Sequence, residues 1–316
     1  MTDGNDEHQE AAVEGQRNDP RPPRGFWFGL VVAIVKPLLL VFTKQDFRGR
    51  ENMPRQGGVV FVTNHISHLD PFVLGFYIWE CRRIPRFLGK ASLFKLPVAG
   101  RIITSAGQIP VYRDSIQAAD AFRDAVAAVE RGECVGVYPE GTITRDPDMW
   151  PMTGKTGAAR IALMTGCPVI PIANWGAQEI FESYGKVRIR LLPRKTLQVK
   201  AGPPVDLSAF QGKPITNQLL HEATDVIMTT VAAGLAELRG GTPPKELYDV
   251  RKARAEAAAE RRAEAEAGAR NADGVDADGP DGVNSGGADK ASGGGDEVQG
   301  SRGDEVPVKR EDEENA

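Results

Sequence analysis

An imidazole and a carboxylate stand five positions apart in the run Asn64-His65-Ile66-Ser67-His68-Leu69-Asp70. Histidine is the side chain whose ordinary pKa suits proton removal near neutral pH. A nearby carboxylate can fold back on the imidazole and hold its tautomer, as the orienting acid of a hydrolase triad does. No G-x-S-x-G nucleophile elbow occurs in the chain. A His–Asp pair without a protein nucleophile points to a base that activates a hydroxyl of the substrate. Two plainer roles compete. Asp70-Pro71 has the form of an N-cap followed by proline at the first helical position. His65, His68 and Asp70 could also ligate a metal, but no second cluster of ligands accompanies them, so neither metal nor cofactor is expected. His68 reads as a helix-start or supporting residue.

The pair must be positioned by its flanks. Gly58–Thr63 is a short apolar run that reads as a buried strand, and 71–80 reads as a helix. A loop leaving the end of a buried strand is where α/β proteins place their sites. Further strands are predicted at Gln108–Tyr112, Glu133–Tyr138 and Val169–Ala173, with Val187–Leu192 and Thr196–Ala201 as a hairpin or sheet edge. Helices are predicted at Ser115–Arg131, Lys155–Thr165 and Asn217–Leu238; the first presents Ile116, Ala119, Phe122, Val126 and Val129 on one face. Strands alternating with helices predict an α/β fold: a single domain, residues 45–250, with a mixed, largely buried sheet flanked by helices.

Ahead of this domain, residues 26–44 include the apolar run FWFGLVVAIVKPLLLVF, Phe26–Phe42. As one helix it would be about 25 Å long, short of a hydrocarbon core of about 30 Å. Lys36-Pro37 interrupts it, and cations flank both ends. An interfacial helical hairpin on anionic head groups is therefore expected, in preference to a spanning helix or a buried core helix. Residues 1–25 read as a disordered lead, 251–270 as a solvated helix without an apolar stripe, and 271–316 as a disordered acidic tail. Charge follows the same division. Residues 251–316 carry 10 Lys+Arg against 17 Asp+Glu and residues 1–25 carry 3 against 6, so 26–250 is net positive within a chain of net charge −4. A basic globule suits an anionic partner. Three separated cysteines in apolar surroundings suit a reducing, cytosolic compartment.

Four segments in order carry a resemblance. Asn64–Asp70, Gly107-Gln108-Ile109-Pro110-Val111-Tyr112-Arg113, Tyr138-Pro139-Glu140-Gly141-Thr142 and Val169-Ile170-Pro171-Ile172 are similar to the four motifs of the glycerolipid acyltransferase family, in its 1-acylglycerol-3-phosphate branch. The likeness covers roughly residues 50–205. The resemblance implies transfer of a fatty acyl group from acyl-CoA or acyl carrier protein to the 2-hydroxyl of 1-acylglycerol 3-phosphate, giving phosphatidic acid. It implies His65 as base and Asp70 as its orienter, with Asn64 and Ser67 in support. It implies Arg113 on the acceptor phosphate, a role that the planar guanidinium fork suits. Glu140, Gly141 and Thr142 would bind substrate: Gly141 allows close backbone approach, and Glu140 can bind a hydroxyl or pair with Arg113. Lys90 and Lys155 are candidate second phosphate contacts. One departure is that the arginine that often follows the threonine of the third motif is delayed to Arg145. The polar stretch Asp146–Thr153 is expected to be a mobile loop over the site.

The implied partners are a thioester donor, a lysophospholipid acceptor and an anionic membrane surface, on the cytoplasmic face of the cell membrane in peripheral or monotopic attachment. The basic cluster Arg82, Arg83, Arg86, Lys90, Lys95 and Arg101 would steer such partners or form a solvated face. Nucleic acid is not expected, since no aromatic–basic interleaving or known module is visible. Two alternatives stay open: the same chemistry on another lipid or glycolipid acceptor, and a non-catalytic membrane-bound scaffold.

Overall fold

A computed structural model describes residues 26–112, 118–182, 184 and 188–273; the predicted lead 1–25 and the tail beyond 273 lie outside these residues. The chain divides into two compact units, 1–260 and 261–316. Described helices are α1 (Phe26–Phe42), α2 (Asp70–Glu80), α3 (Ala91–Phe94), α4 (Ala99–Ser105), α5 (Ala118–Glu130), α6 (Gly157–Thr165), α7 (Ala177–Ile180), α8 (Asn217–Arg239) and α9 (Val250–Asp273). The strands are β1 (Thr43–Arg48), β2 (Val59–Thr63), β3 (Pro85–Lys90), β4 (Ile109–Val111), β5 (Cys134–Val137), β6 (Val169–Trp175) and β7 (Lys195–Ala201).

They form one mixed seven-stranded sheet in the order β1-β7-β6-β2-β5-β3-β4. β2 is central and parallel to both β5 and β6, while β7 runs antiparallel to β6. Every residue of β2 is buried, as expected of a Val-rich strand covered on both faces. One face packs under α5, α6 and α8, with Val60, Val62, Val135, Val137 and Ile227 in one apolar cluster. The other packs under α2, with Phe61, Leu74, Tyr77, Ile170 and Leu197 in a second. α8 buries Leu220, Ala223, Ile227, Val231 and Leu235 at helical spacing, and its N-cap Thr216 accepts from Leu219 N.

Four expectations change. First, the predicted hairpin is one continuous helix: α1 passes through Pro37. A proline inside a helix costs about 3 kcal/mol, but α1 is docked. Leu39 and Val35 pack into the second cluster, and Lys36 turns inward to Glu80 at 2.7 Å and over the Phe76 ring. No helix among the described residues is long and apolar enough to cross a membrane. Second, among the described residues, 188–192 do not pair with β7, and Val187 lies outside the described residues. β7 pairs with β1 and β6, and Ile189 makes a lone bridge to Phe181. The reason is that β1, unrecognised in the sequence, takes the free edge of β7. Third, the packed face of α5 is wider than expected: Val129 is buried with Phe122 and Val126 packed beside it, as predicted, and Ala121, Ala125 and Ala128 join them, while Ile116 lies outside the described residues. Small side chains let that face approach the sheet. Fourth, Arg83 and Arg86 are engaged within the fold and do not form part of a fully solvated basic face. Arg83 is buried and donates to the carbonyls of Pro54, Gly57 and Gly132, and Arg86 donates to Glu133 and Ala106.

Gly136 decides how the aromatic side chains fit. It lies opposite Phe61 on β2 and Phe87 on β3. A methyl group built on it would come within 2.2 Å of the Phe61 ring. Phe61 cannot retreat, because Phe87 stands edge-on to it at 5.5 Å. Gly136→Ala is expected to lower stability by about 1–3 kcal/mol through overpacking. Urea denaturation would measure this as a fall in midpoint at unchanged slope.

Candidate active site

β2 ends at Thr63, and the chain turns so that Asp70 N donates to Ser67 O at 3.1 Å. That turn brings the Asp70 carboxylate under the loop. Its Oδ2 accepts from His65 Nδ1 at 2.8 Å, from Ile66 N at 2.7 Å and from Ser67 N at 2.9 Å. Asp70 is fully buried, while the His65 side chain keeps 17 % exposure. The carboxylate does not cap α2: it is the helix's first residue, and it organises the loop before it. With Nδ1 held by Asp70, the imidazole is protonated there and presents Nε2 as the basic nitrogen.

The backbone of His65 is held from the other side. Its N–H donates to Glu140 Oε1 at 2.9 Å, and its carbonyl accepts from Thr144 N at 2.8 Å. The second Glu140 oxygen accepts from Met152 N at 3.0 Å. Glu140, expected to bind substrate, thus has both oxygens engaged with backbone amides, and it is only 6 % exposed. Burial pushes its carboxyl up to about 8, with the two amide donors pulling the other way. The Tyr138 ring lies against His65 at 4.3 Å between centroids and is backed in turn by Phe87 at 6.0 Å. Burial, with a further contribution from the negative charge of Asp70, holds the Tyr138 hydroxyl well above the usual tyrosine range.

Asn64 and Ser67 tie this loop to the rest of the fold. Asn64 and Asn174 on β6 exchange side-chain and backbone hydrogen bonds, and both are buried. The Ser67 hydroxyl donates to Phe181 O and accepts from Leu69 N. Gly141 turns the chain at φ 70, where glycine is favoured. Lys155 Nζ lies against that turn, 3.3 Å from where a Gly141 methyl would be. Thr142 follows, partly exposed. β3 and β4 run parallel to β5, so Lys90 and Tyr112 fall at the same sheet end as His65, with Lys90 exposed. Arg113 lies outside the described residues.

The stretch Asp146–Thr153, expected to be mobile, is pinned throughout. Asp146 Oδ1 accepts from Asp148 N and Trp150 N, and the Thr144 hydroxyl donates to Trp150 O. Met152 bridges to Tyr248. The Arg239 guanidinium lies between the rings of Trp150 and Trp175, at 4.6 and 4.4 Å. Sequence reasoning missed Tyr138, Asn174, Trp150 and Arg239 as supports of the site. Tyr138 was within reach, since it begins the Tyr-Pro-Glu-Gly-Thr segment; the others come from distant elements and carry no local signal.

A buried strand delivers an imidazole oriented by Asp70, its backbone held by Glu140 ahead of a glycine turn that Lys155 touches, in a domain with no serine elbow. Residues 44–175 match the family model described as Acyltransferase. The chain is 32 % identical over 157 residues to a chloroplastic 1-acyl-sn-glycerol-3-phosphate acyltransferase of Brassica napus, covering 47 % of this chain and 44 % of that protein. It is 31 % identical over 134 residues to a 1-acyl-sn-glycerol-3-phosphate acyltransferase of Borreliella burgdorferi, covering 42 % and 52 %. The chain thus spans about half the length of these curated relatives. Its fold is similar to the crystal structure of the 1-acyl-sn-glycerophosphate acyltransferase PlsC from Thermotoga maritima, with TM-score 0.52, 24 % identity and coverage of 69 % of this chain and 81 % of that one.

Glu140 makes a pH prediction. Its folded pKa of about 8 lies above its unfolded value of 4.5, so the native state binds the extra proton between them. Stability is then lost as pH rises from about 5 to 8. Glu140→Gln removes that slope while leaving one buried amide without an acceptor, which costs about 1–3 kcal/mol. Thermal melts at pH 5.5, 7 and 8 should show the parent losing more stability with pH than the variant, which starts lower.

Proposed function

We propose that this protein transfers a fatty acyl group from a thioester donor, acyl-CoA or acyl carrier protein, to the 2-hydroxyl of 1-acylglycerol 3-phosphate, forming phosphatidic acid for phospholipid synthesis. The observation that carries the reading is the 2.8 Å contact between His65 Nδ1 and Asp70 Oδ2 in the loop after the central strand. The named relatives support the choice of acceptor and reaction. The site is proposed to work at the cytoplasmic membrane surface, as a peripheral or monotopic protein, and to need no cofactor.

His65 Nε2 takes the proton from the acceptor hydroxyl as its oxygen attacks the thioester carbonyl carbon. The tetrahedral intermediate collapses, the C–S bond breaks and the thiolate leaves with its electron pair. The imidazolium returns its proton to the thiolate or to solvent. Asp70 stabilises the imidazolium while it exists. General-base action contributes about 10²–10⁴ in rate, or about 3–5 kcal/mol. Holding donor and acceptor in line can contribute about 7–11 kcal/mol more. Positioning is the larger effect, which fits a base clamped by its own backbone, its ring face and its Nδ1. Arg113 and Lys155 are the proposed anchors for acceptor phosphate, with Lys90 as a further contact at the same sheet end.

His65→Ala should abolish transfer without loss of fold, measured as thiol release with lysophosphatidic acid and acyl-CoA; a variant retaining more than a tenth of parental activity excludes this base. Asp70→Asn should lower kcat about 10²–10⁴-fold through loss of tautomer control. Arg113→Ala should raise KM for the phosphorylated acceptor far more than KM for the acyl donor. Equal effects on both would argue against the phosphate contact, and a panel of lipid and glycolipid acceptors would expose a different preference.

A further inference from the structure

The backbone around His65 is tied to the rest of the fold by two separate bridges, and each ends at a tryptophan. The first runs through residues 144–152. Thr144 N donates to His65 O at 2.8 Å, and the Thr144 hydroxyl donates to Trp150 O at 2.7 Å. Met152 N donates to Glu140 Oε2, while Glu140 Oε1 receives His65 N. The second bridge runs through the residue before the base. The Asn64 side chain donates to Asn174 O at 3.0 Å and accepts from Asn174 N at 2.9 Å, and the Asn174 side chain donates to Asn64 O at 2.7 Å. Trp175 is the next residue and ends β6.

One side chain closes on both ends. The Arg239 guanidinium lies 4.6 Å from the Trp150 ring centroid and 4.4 Å from that of Trp175, and its Nη1 donates to Asp148 O at 2.5 Å. Arg239 is the last residue of α8, whose final turns bury Leu235 and Leu238 in one cluster with Trp150 and Ala173. The helix thus delivers the guanidinium to a fixed place. Arginine suits that place because its plane stacks on aromatic faces while its edge keeps N–H donors; an ammonium is a compact point charge without a plane. Tyr248 adds a further tie to the same stretch. Thr153 N donates to Tyr248 O at 3.0 Å, and Met152 bridges to Tyr248. Both ties come from beyond residues 44–175, the region that matches the family model.

We infer that Arg239 is a positioning residue for the base. By joining Trp150 to Trp175 it makes the two bridges one frame, and so it fixes the backbone of residues 64 and 65 without entering the reaction. The inference rests on the acyl-transfer reading for its kinetic consequence, but the frame itself is measurable without turnover. The consequence falls on kcat, because a slightly displaced base loses its alignment with the acceptor hydroxyl.

Two measurements on the full chain test this. Hydrogen exchange reads the frame. In Arg239→Leu the amides of His65, Thr144 and Met152 should exchange about tenfold faster or more, with those of Val60 and Val62 on β2 unchanged, because the opening is local. Turnover of lysophosphatidic acid with acyl-CoA reads the consequence. Arg239→Leu should lower kcat about 10–100-fold and leave KM for both substrates unchanged. Arg239→Lys keeps a cation on the rings and should recover part of kcat. In a Trp175→Leu background, Arg239→Leu should cost little more, since the two side chains act through one contact. Equal loss of protection in β2 would make Arg239 a general support of the fold and overturn the inference. A raised KM for the acceptor at unchanged kcat would overturn it by placing Arg239 on substrate, as would additive losses in the double variant. A parent that transfers no acyl group sinks the proposed reaction, and hydrogen exchange then decides the frame alone.

Discussion

One oxygen of Asp70 organises the whole site. Oδ2 accepts from an imidazole and from two consecutive backbone amides while the residue is fully buried. Charge-assisted hydrogen bonds of this kind are about twice as strong as neutral ones. A buried carboxylate without them would carry a large desolvation penalty. The loop after β2 is consequently obliged to wrap around the carboxylate, and the imidazole is drawn into the same arrangement. Stability of the loop and orientation of the base are therefore one interaction, and neither can be altered alone.

The remaining contacts fix what Asp70 leaves free. Glu140 and Thr144 grip the His65 backbone at its N–H and its carbonyl. Rings run from Phe61 through Phe87 and Tyr138 to the imidazole, each within about 6 Å of the next, and they meet only because position 136 is glycine. Behind Glu140, the 144–152 stretch is locked by Asp146 and by Arg239 between two tryptophans. A site whose main task is to hold two substrates in line benefits from this rigidity, because small displacements of the base cost rate.

Much of the site was legible in the residues themselves. The His65–Asp70 spacing, the apolar strand before it and the helix after it depend on local chemistry and short-range turns, and so they could be read in order along the chain. The long α8 and the buried strands β2, β5 and β6 were legible from periodicity and apolar runs for the same reason. The sequence by itself thus determined an α/β domain with an oriented base and no nucleophile. Only the tertiary structure decided that Glu140 serves the backbone of His65, that Asn64 answers to Asn174 across 110 positions, that Lys36-Pro37 lies within a docked helix, and that Arg194 reaches back to the end of α1. Those outcomes depend on which strand takes which edge and on burial from distant elements. Such partners are chosen by packing over the whole sheet, and no window of local sequence contains them.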